Sequence, residues 1–295
     1  FTYDRYVILY NNSDFPASLG NMSLATTMPY NSTGTNKYYT GNELSYKNEG
    51  WMPAGQAIWH FKQNVVVQPW QQIVIALTNA VNNTLTYSKS INFDNSAYYA
   101  TYDPDVFTHT ATYPTPAASI PTSNYLKAIP YGAGTAWTLS VTSPGFFIFD
   151  PKDTTPAAFV ADASSTDSYT GTALVSKKVP VDWIVDGVEA FELGNTGNNK
   201  RFLPTVDAGY VYHINKEGYS IYRNVDEAAT KAIPGNEAKL VYGYSLGTTI
   251  TDGSTDPSGI DAESSIKNGA RIVYKDTNNS SNDFHLRSKA SLRTN

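Results

Sequence analysis

The run Arg5-Tyr6-Val7-Ile8-Leu9-Tyr10 stops abruptly at Asn11-Asn12-Ser13-Asp14. In an extended chain Tyr6, Ile8 and Tyr10 point to one side and Val7 and Leu9 to the other, so both faces call for burial. The four residues that follow have short polar side chains that bond back to the main chain and tolerate left-handed backbone, which ends the strand in a tight turn. This is the pattern of a central β-strand, and a chain that keeps repeating it is committed to sheet structure.

The repeats are many and short. Residues 56–61 and 65–67 alternate as strands, and residues 71–77 contain Ile73-Val74-Ile75-Ala76-Leu77, which is apolar on both faces and is the best partner for residues 6–10. Further strands are expected over 136–141, 146–149, 180–189, 210–213, 219–223, 240–244 and 271–274, with a bulge or turn at Gly187 and turn clusters such as Ser143-Pro144-Gly145 between them. Residues 226–232 are the one stretch of good helix formers, about two turns long. Residues 20–50 read as a long loop or weak hairpin. Periodicity is also lost over much of 81–180, and loops of that length are functional or are insertions. With no βαβ rhythm and no internal repeat, the pattern is that of an all-β sandwich.

Composition agrees. Charged residues are 16% of the chain, and polarity comes instead from Asn, Ser, Thr and 22 tyrosines, as β structure favours. The net charge of -5, without a concentrated basic face, excludes a nucleic-acid partner. The absence of cysteine removes disulfides, thiolate metal sites and cysteine nucleophiles. No apolar run approaches the ~20 residues that span a bilayer. The start at Phe1, without a charged-then-apolar leader, is expected of a mature or trimmed piece of a longer protein, which leaves room for a lipid anchor upstream of Phe1.

Five blocks stand out in order: residues 6–14, residues 67–76, Asp186-Gly187-Val188-Glu189, Gly218-Tyr219-Ser220-Ile221-Tyr222-Arg223, and Asp276-Thr277-Asn278-Asn279-Ser280-Ser281-Asn282-Asp283-Phe284. Together they resemble the bacterial lamin-tail-like domains, and within them a branch of unknown function carried by secreted or lipid-anchored surface proteins of Gram-negative bacteria. The resemblance implies one immunoglobulin-like β-sandwich domain over residues 1–295, with residues from about 81 to 180 as elaboration. It implies no catalytic residues. Two departures touch surface positions: Ile8 stands where the family carries an acidic residue, and Pro69-Trp70 replaces a Pro-Gly turn.

Candidate chemistry is thin. Gly243-Tyr244-Ser245-Leu246-Gly247 matches the spacing of a nucleophile elbow, but residues 248–253 do not read as the helix such an elbow needs. Asp182, Asp186, Glu189 and Glu192 crowd one segment, and two carboxylates flanking a sugar can hydrolyse a glycoside. Solvated charges that discourage edge pairing are the simpler account of them. The four histidines show no ligand spacing. Asp276, Asn278, Ser280 and Asp283 offer oxygens as a calcium loop does, without the glycine and bidentate glutamate of an EF-hand, and Asx turns explain the same residues. Tyr38, Tyr39, Tyr98, Tyr99, Tyr102 and Tyr113 fall in loop regions, where exposed rings would stack on sugars.

The resulting expectation is an exported, non-catalytic binding or adhesion module at a bacterial cell surface or in the periplasm, with a protein or glycan partner. No cofactor is expected unless calcium is bound. The alternatives are a carbohydrate-binding module that uses the loop aromatics and a glycoside-directed hydrolase that uses the carboxylates of residues 182–192.

Overall fold

The structure, a computed structural model, describes residues 3–137, 139–169, 174–215, 218–243 and 256–293. A six-stranded sheet lies at its centre, in the order Lys127–Pro130, Ala57–His60, Ser23–Thr26, Gly145–Phe149, Ile184–Glu192 and Val211–His213. All neighbours are antiparallel except the last pair, which is parallel.

The middle strand, Gly-Phe-Phe-Ile-Phe, fills both faces of this sheet. Phe146 and Ile148 join Leu24, Ala57, Trp59 and Val188 in one apolar cluster, while Phe147 and Phe149 join Ala25 and Ile58 in another. Successive side chains of a strand alternate between faces, so the same few strands supply both clusters. The first cluster continues into Val7, Leu9, Ile73 and Ile75 of a three-stranded sheet made of Tyr6–Tyr10, Gln72–Ala76 and Tyr99–Ala100. The second continues into Met52, Ala54 and Val179 of another, made of Thr166–Ser168, Val175–Pro180 and Trp51–Gly55. Three layers result, with each fully buried Leu, Ile or Phe contributing roughly 1.5–3 kcal/mol.

The expected pairing of the opening run is present: Tyr6 lies opposite Ala76 and Tyr10 opposite Gln72. Its position differs from expectation. Tyr6–Tyr10 is an outer strand of its sheet, half-buried at every residue, and Gly145–Phe149 is the central strand of the fold. The face that carries Tyr6 and Tyr10 is covered by the C-terminal part of the chain. Tyr6 Oη lies 2.9 Å from Tyr222 Oη, and Tyr10 Oη donates to the Ile272 carbonyl at 2.8 Å. The rings of Tyr10 and Tyr274 meet edge to face at 4.8 Å.

Residues 271–274 are expected as a strand. They form only an isolated bridge, Tyr274 to Val225, and dock by side chains instead: the Asn12 amide donates to the Tyr274 carbonyl and accepts from its N–H, both at 2.8 Å. Residues 136–141 and 240–243 are likewise not strands where they are described, apart from a bridge at Tyr242. Ser23–Thr26, Trp51–Gly55, Val175–Pro180 and Phe284–Arg287 are strands that the pattern did not mark or only bordered. The helix over Glu227–Ala232 is as expected, opened by Asp226, whose side chain accepts from the Ala229 N–H. The remaining α-helices, Pro156–Ala161, Ala262–Lys267 and Ser280–Asp283, are equally short or shorter, so the described chain is mostly β. Trp70 takes φ +60, the left-handed conformation that a glycine adopts without cost. Among the described residues no helix is long and apolar enough to cross a membrane.

Candidate functional site

The carboxylates of residues 182–192 are each committed to a different partner. Asp182 is exposed and faces Lys152 at 3.4 Å. Asp186 is paired with Arg223, and burial raises its pKa while Arg223 pulls it down. Glu189 is fully buried: Oε1 accepts from the Arg201 backbone N–H at 2.8 Å and from Arg201 Nε at 2.9 Å, and Oε2 lies 2.6 Å from Lys200 Nζ. Glu192 accepts from Asn195. The strand is unbroken, and its irregularity is not at Gly187. Ile148 opposes Asp186 and Phe149 opposes Ile184, so Val185 is the extra residue of a bulge, while Gly187 stays in register opposite Phe147. Gly187 is required for packing, because a Cβ there would sit 2.7 Å from the Phe202 ring.

The turn around Asp276, Asn278, Ser280 and Asp283 is held by its own donors. Asp283 accepts from the Thr277 N–H at 2.7 Å, the Thr277 hydroxyl at 2.8 Å and the Asn279 N–H at 3.1 Å. Ser280 donates through its N–H and its hydroxyl to the buried Asp207 carboxylate, which also accepts from the Glu189 and Gly209 N–H groups. Asp276 lies 3.6 Å from Arg223, and Asn278 adopts φ +52 as an Asx turn allows. Among the described residues no three His, Cys, Asp or Glu side chains gather as metal ligands would.

The six loop tyrosines do not form an exposed platform, which corrects the expectation from their loop positions. Tyr38 is buried, with its hydroxyl 2.9 Å from Asp167 and 2.8 Å from Ser176. Tyr113 is buried and bonds both the carbonyl and the N–H of Trp137. Tyr39, Tyr98, Tyr99 and Tyr102 are half-buried, and Tyr38 belongs to a different core cluster from Tyr99, Tyr102 and Tyr113. Aromatic rings close to their neighbours contribute to packing, and that is what these do. Of the elbow sequence, Gly243 is described and residues 244–247 lie outside the described residues.

A cavity of about 300 Å³ lies where the start of the opening strand meets residues 132–142. Arg5, directly before that strand, reaches it together with Gln56, at the bend between Trp51–Gly55 and Ala57–His60, and Trp137. The Arg5 Nε is buried without a partner, and among the described residues its guanidinium makes no ion pair. Burial holds its pKa below the ordinary arginine value, with Tyr113 and Tyr3 acting the other way. Gln56 has φ +49; its carbonyl accepts from the Tyr131 and Gly132 N–H groups, and its amide nitrogen donates to Tyr30 Oη at 3.1 Å. The amide oxygen is left with no partner. A Cβ at residue 132 would fall 2.7 Å from the Gln56 side chain, so this close approach requires Gly132.

The Trp137 indole is buried beside Trp59, with ring centroids 6.4 Å apart, and its N–H is also unpartnered. A buried polar atom without a partner costs about 1–3 kcal/mol. Ala57, Phe107, Ala136 and Leu139 supply apolar wall, and among the described residues no Asp, Glu, His or Lys lines the space. Arg5 is the one charged residue of the described lining, which includes no general base or metal set, while the unpartnered Gln56 oxygen and Trp137 N–H are packed away from the space.

Arg5, Gln56 and Trp137 are distant in sequence, and Trp137 fell within an expected strand. No pattern in the sequence joins them.

The described residues define a mostly β protein with a small, half-open cavity beside Arg5, Gln56 and Trp137. The chain belongs to the family described as "Protein of unknown function (DUF4876)", whose model matches residues 68–237. It is similar in fold to the crystal structure of a DUF4876 family protein from Bacteroides thetaiotaomicron VPI-5482, with a TM-score of 0.61 at 18% sequence identity. That likeness covers 96% of this chain and 64% of the other, so the chain spans under two thirds of its relative's length. No curated protein matches the chain.

Proposed function

We propose that the chain is a non-catalytic binding module that holds a small ligand in the cavity beneath residues 132–142. The observation that carries this reading is the Arg5 guanidinium, brought to the cavity with no carboxylate paired to it among the described residues. Enzymatic use of the 182–192 carboxylates has no comparable support, because Glu189 is closed off from solvent and Asp186 is held by Arg223.

The same proposal places the module at a bacterial cell surface or in the periplasm, as the resemblance to exported surface domains implies. It takes the fold as an immunoglobulin-like sandwich of lamin-tail type in one domain. Support for the finer fold is that the blocks carrying the resemblance meet in space: residues 6–14 touch Tyr222 and Tyr274, and Arg223 lies between Asp186 and Asp276.

The test is a thermal-shift screen of small metabolites and sugars on the protein and on Ala136→Trp, which fills the cavity. Compounds that raise the midpoint of the first and not of the second are expected. A screen in which every stabilising compound acts equally on both variants rules the cavity out.

A further inference from the structure

Tyr6–Tyr10 leaves one side of its main chain unused. Leu77 donates its N–H to the Arg5 carbonyl and Asn11 donates to the Gln71 carbonyl, both at 2.8 Å, and the register between them runs without a shift. In an antiparallel ladder the residues that bond to the neighbour alternate with residues whose N–H and C=O point away. Arg5, Val7, Leu9 and Asn11 therefore face Gln72–Ala76, and the main-chain groups of Tyr6, Ile8 and Tyr10 face outward. Among the described residues none of those outward groups has a hydrogen-bond partner.

Exposure agrees. Val74, Ile75 and Ala76 are at most 5% exposed, while Ile8, Val7 and Tyr6 opposite them are half-buried. The two strands share their covering layers, so the extra exposure comes from the open side.

We propose that this edge pairs with the same edge of a second copy of the chain, antiparallel, about a twofold axis at Ile8. Apolar edges are normally blunted by charge, proline, a bulge or shortness. Lys127–Pro130, an outer strand of the central sheet, ends in proline and has its Ala128 N–H taken by Asp103 at 3.1 Å. The outer strands Val211–His213 and Thr166–Ser168 have three residues each. Tyr6–Tyr10 has five residues and none of these guards.

The sequence of the strand selects a second copy as its partner. Tyr-Val-Ile-Leu-Tyr reads alike in chemistry from either end. With Ile8 on the axis, Ile8 lies opposite the second copy's Ile8, and Tyr6 lies opposite the second copy's Tyr10. These are the outward-facing residues, so each such pair exchanges both N–H···O bonds. Between them Val7 meets the second copy's Leu9 on the other face, and apolar cross-strand pairs of this kind stabilise a sheet. The contact is isologous and closes on itself, joining two three-stranded sheets into one. Five residues from each copy make a contact at the small end of specific interfaces, so the dimer is expected to form at roughly 100 μM.

The experiment combines sedimentation from about 10 μM to about 1 mM with amide hydrogen exchange read residue by residue across the same range. A monomer–dimer equilibrium is expected, in which the Tyr6, Ile8 and Tyr10 amides exchange about tenfold slower at the high concentration while Val7 and Leu9 do not change. Ile8→Pro removes an N–H that points away from Gln72–Ala76, so the ladder within the chain is kept and dimerisation is expected to weaken at least tenfold. If that variant does not fold, the exchange pattern of the parent protein decides. A dimer in which the three amides stay unprotected, or one that Ile8→Pro leaves folded and unchanged, overturns the proposal. So does protection that is independent of concentration, which would mean that a segment of the same chain occupies the edge. A monomer throughout, with the three amides exchanging freely, also overturns self-pairing and leaves the edge to a strand of another protein.

Discussion

Glu189 shows how little a residue's chemistry says about its use until its neighbours are known. Read along the strand it is one of four carboxylates; in the fold it is fully buried and is shared by Arg201 and Lys200. Removing one partner of a buried ion pair strands the other charge, at a cost of roughly 3–5 kcal/mol. Glu189→Gln is therefore expected to lower unfolding free energy by about that amount in urea titration, and a loss below about 1 kcal/mol would show that the pair is not what holds residues 200–203. Gly187→Ala tests the neighbouring contact: its methyl meets the Phe202 ring, and overpacking of this kind costs about 1–3 kcal/mol. The sequence placed Asp186, Glu189 and Gly187 in one strand correctly. It did not reveal that Val185 carries the bulge, because a bulge is a relation between two strands. The cavity was illegible for the same reason. Arg5 shows no sign of lacking a partner when Asp4 stands next to it, and Gln56 is an ordinary residue until its φ is seen.

At the level of elements, the strands that could be read were those whose apolar residues cover both faces, such as residues 73–77 and 146–149. Ser23–Thr26 was missed although all four of its residues are buried. Apart from Leu24 its side chains are small, and it sits between Gly145–Phe149 and Ala57–His60, whose rings take up much of the space on either side. Several large apolar residues in a row make a strand visible, and this one carries a single such residue. Conversely, residues 136–141 looked like a strand because Trp137, Leu139 and Val141 alternate, but the described ones among them are irregular and line the cavity. The turn of residues 276–283 closes on Asp283 and Asp207 with donors from its own backbone and hydroxyl groups. Its stability should then be indifferent to calcium: the melting midpoint is expected to be the same in chelator and in millimolar calcium, and a rise of several degrees with calcium would refute this account of the turn.

The whole molecule is closed by its C-terminal segment, and one buried imidazole there ties stability to pH. His285 sits with Nδ1 2.7 Å from Asn224 Oδ1, and its Nε2 accepts from Arg287 Nε at 3.0 Å, so the ring is neutral. Burial lowers its pKa from 6.5 to about 4. Between those values the unfolded chain binds a proton that the native chain refuses, so this group removes stability as pH falls through that window, by about 3 kcal/mol in all. Glu263, paired with Arg287 and raised by burial to about 7, acts in the opposite sense over much of the same range. The histidine's share is isolated by His285→Gln: its cost in stability should shrink as pH drops from about 7.5 to about 4.5, and a cost that stays constant would sink the assignment. Layering has a further consequence, for the order of assembly. Gly145–Phe149 fills the space between Ser23–Thr26, made well before it, and Ile184–Glu192, made after it. Pairings so distant along the chain are slow, on the order of milliseconds to seconds in β proteins. On the ribosome the early strands must wait with an open edge for the phenylalanine strand, and nascent copies held at that stage are the ones most apt to pair with each other.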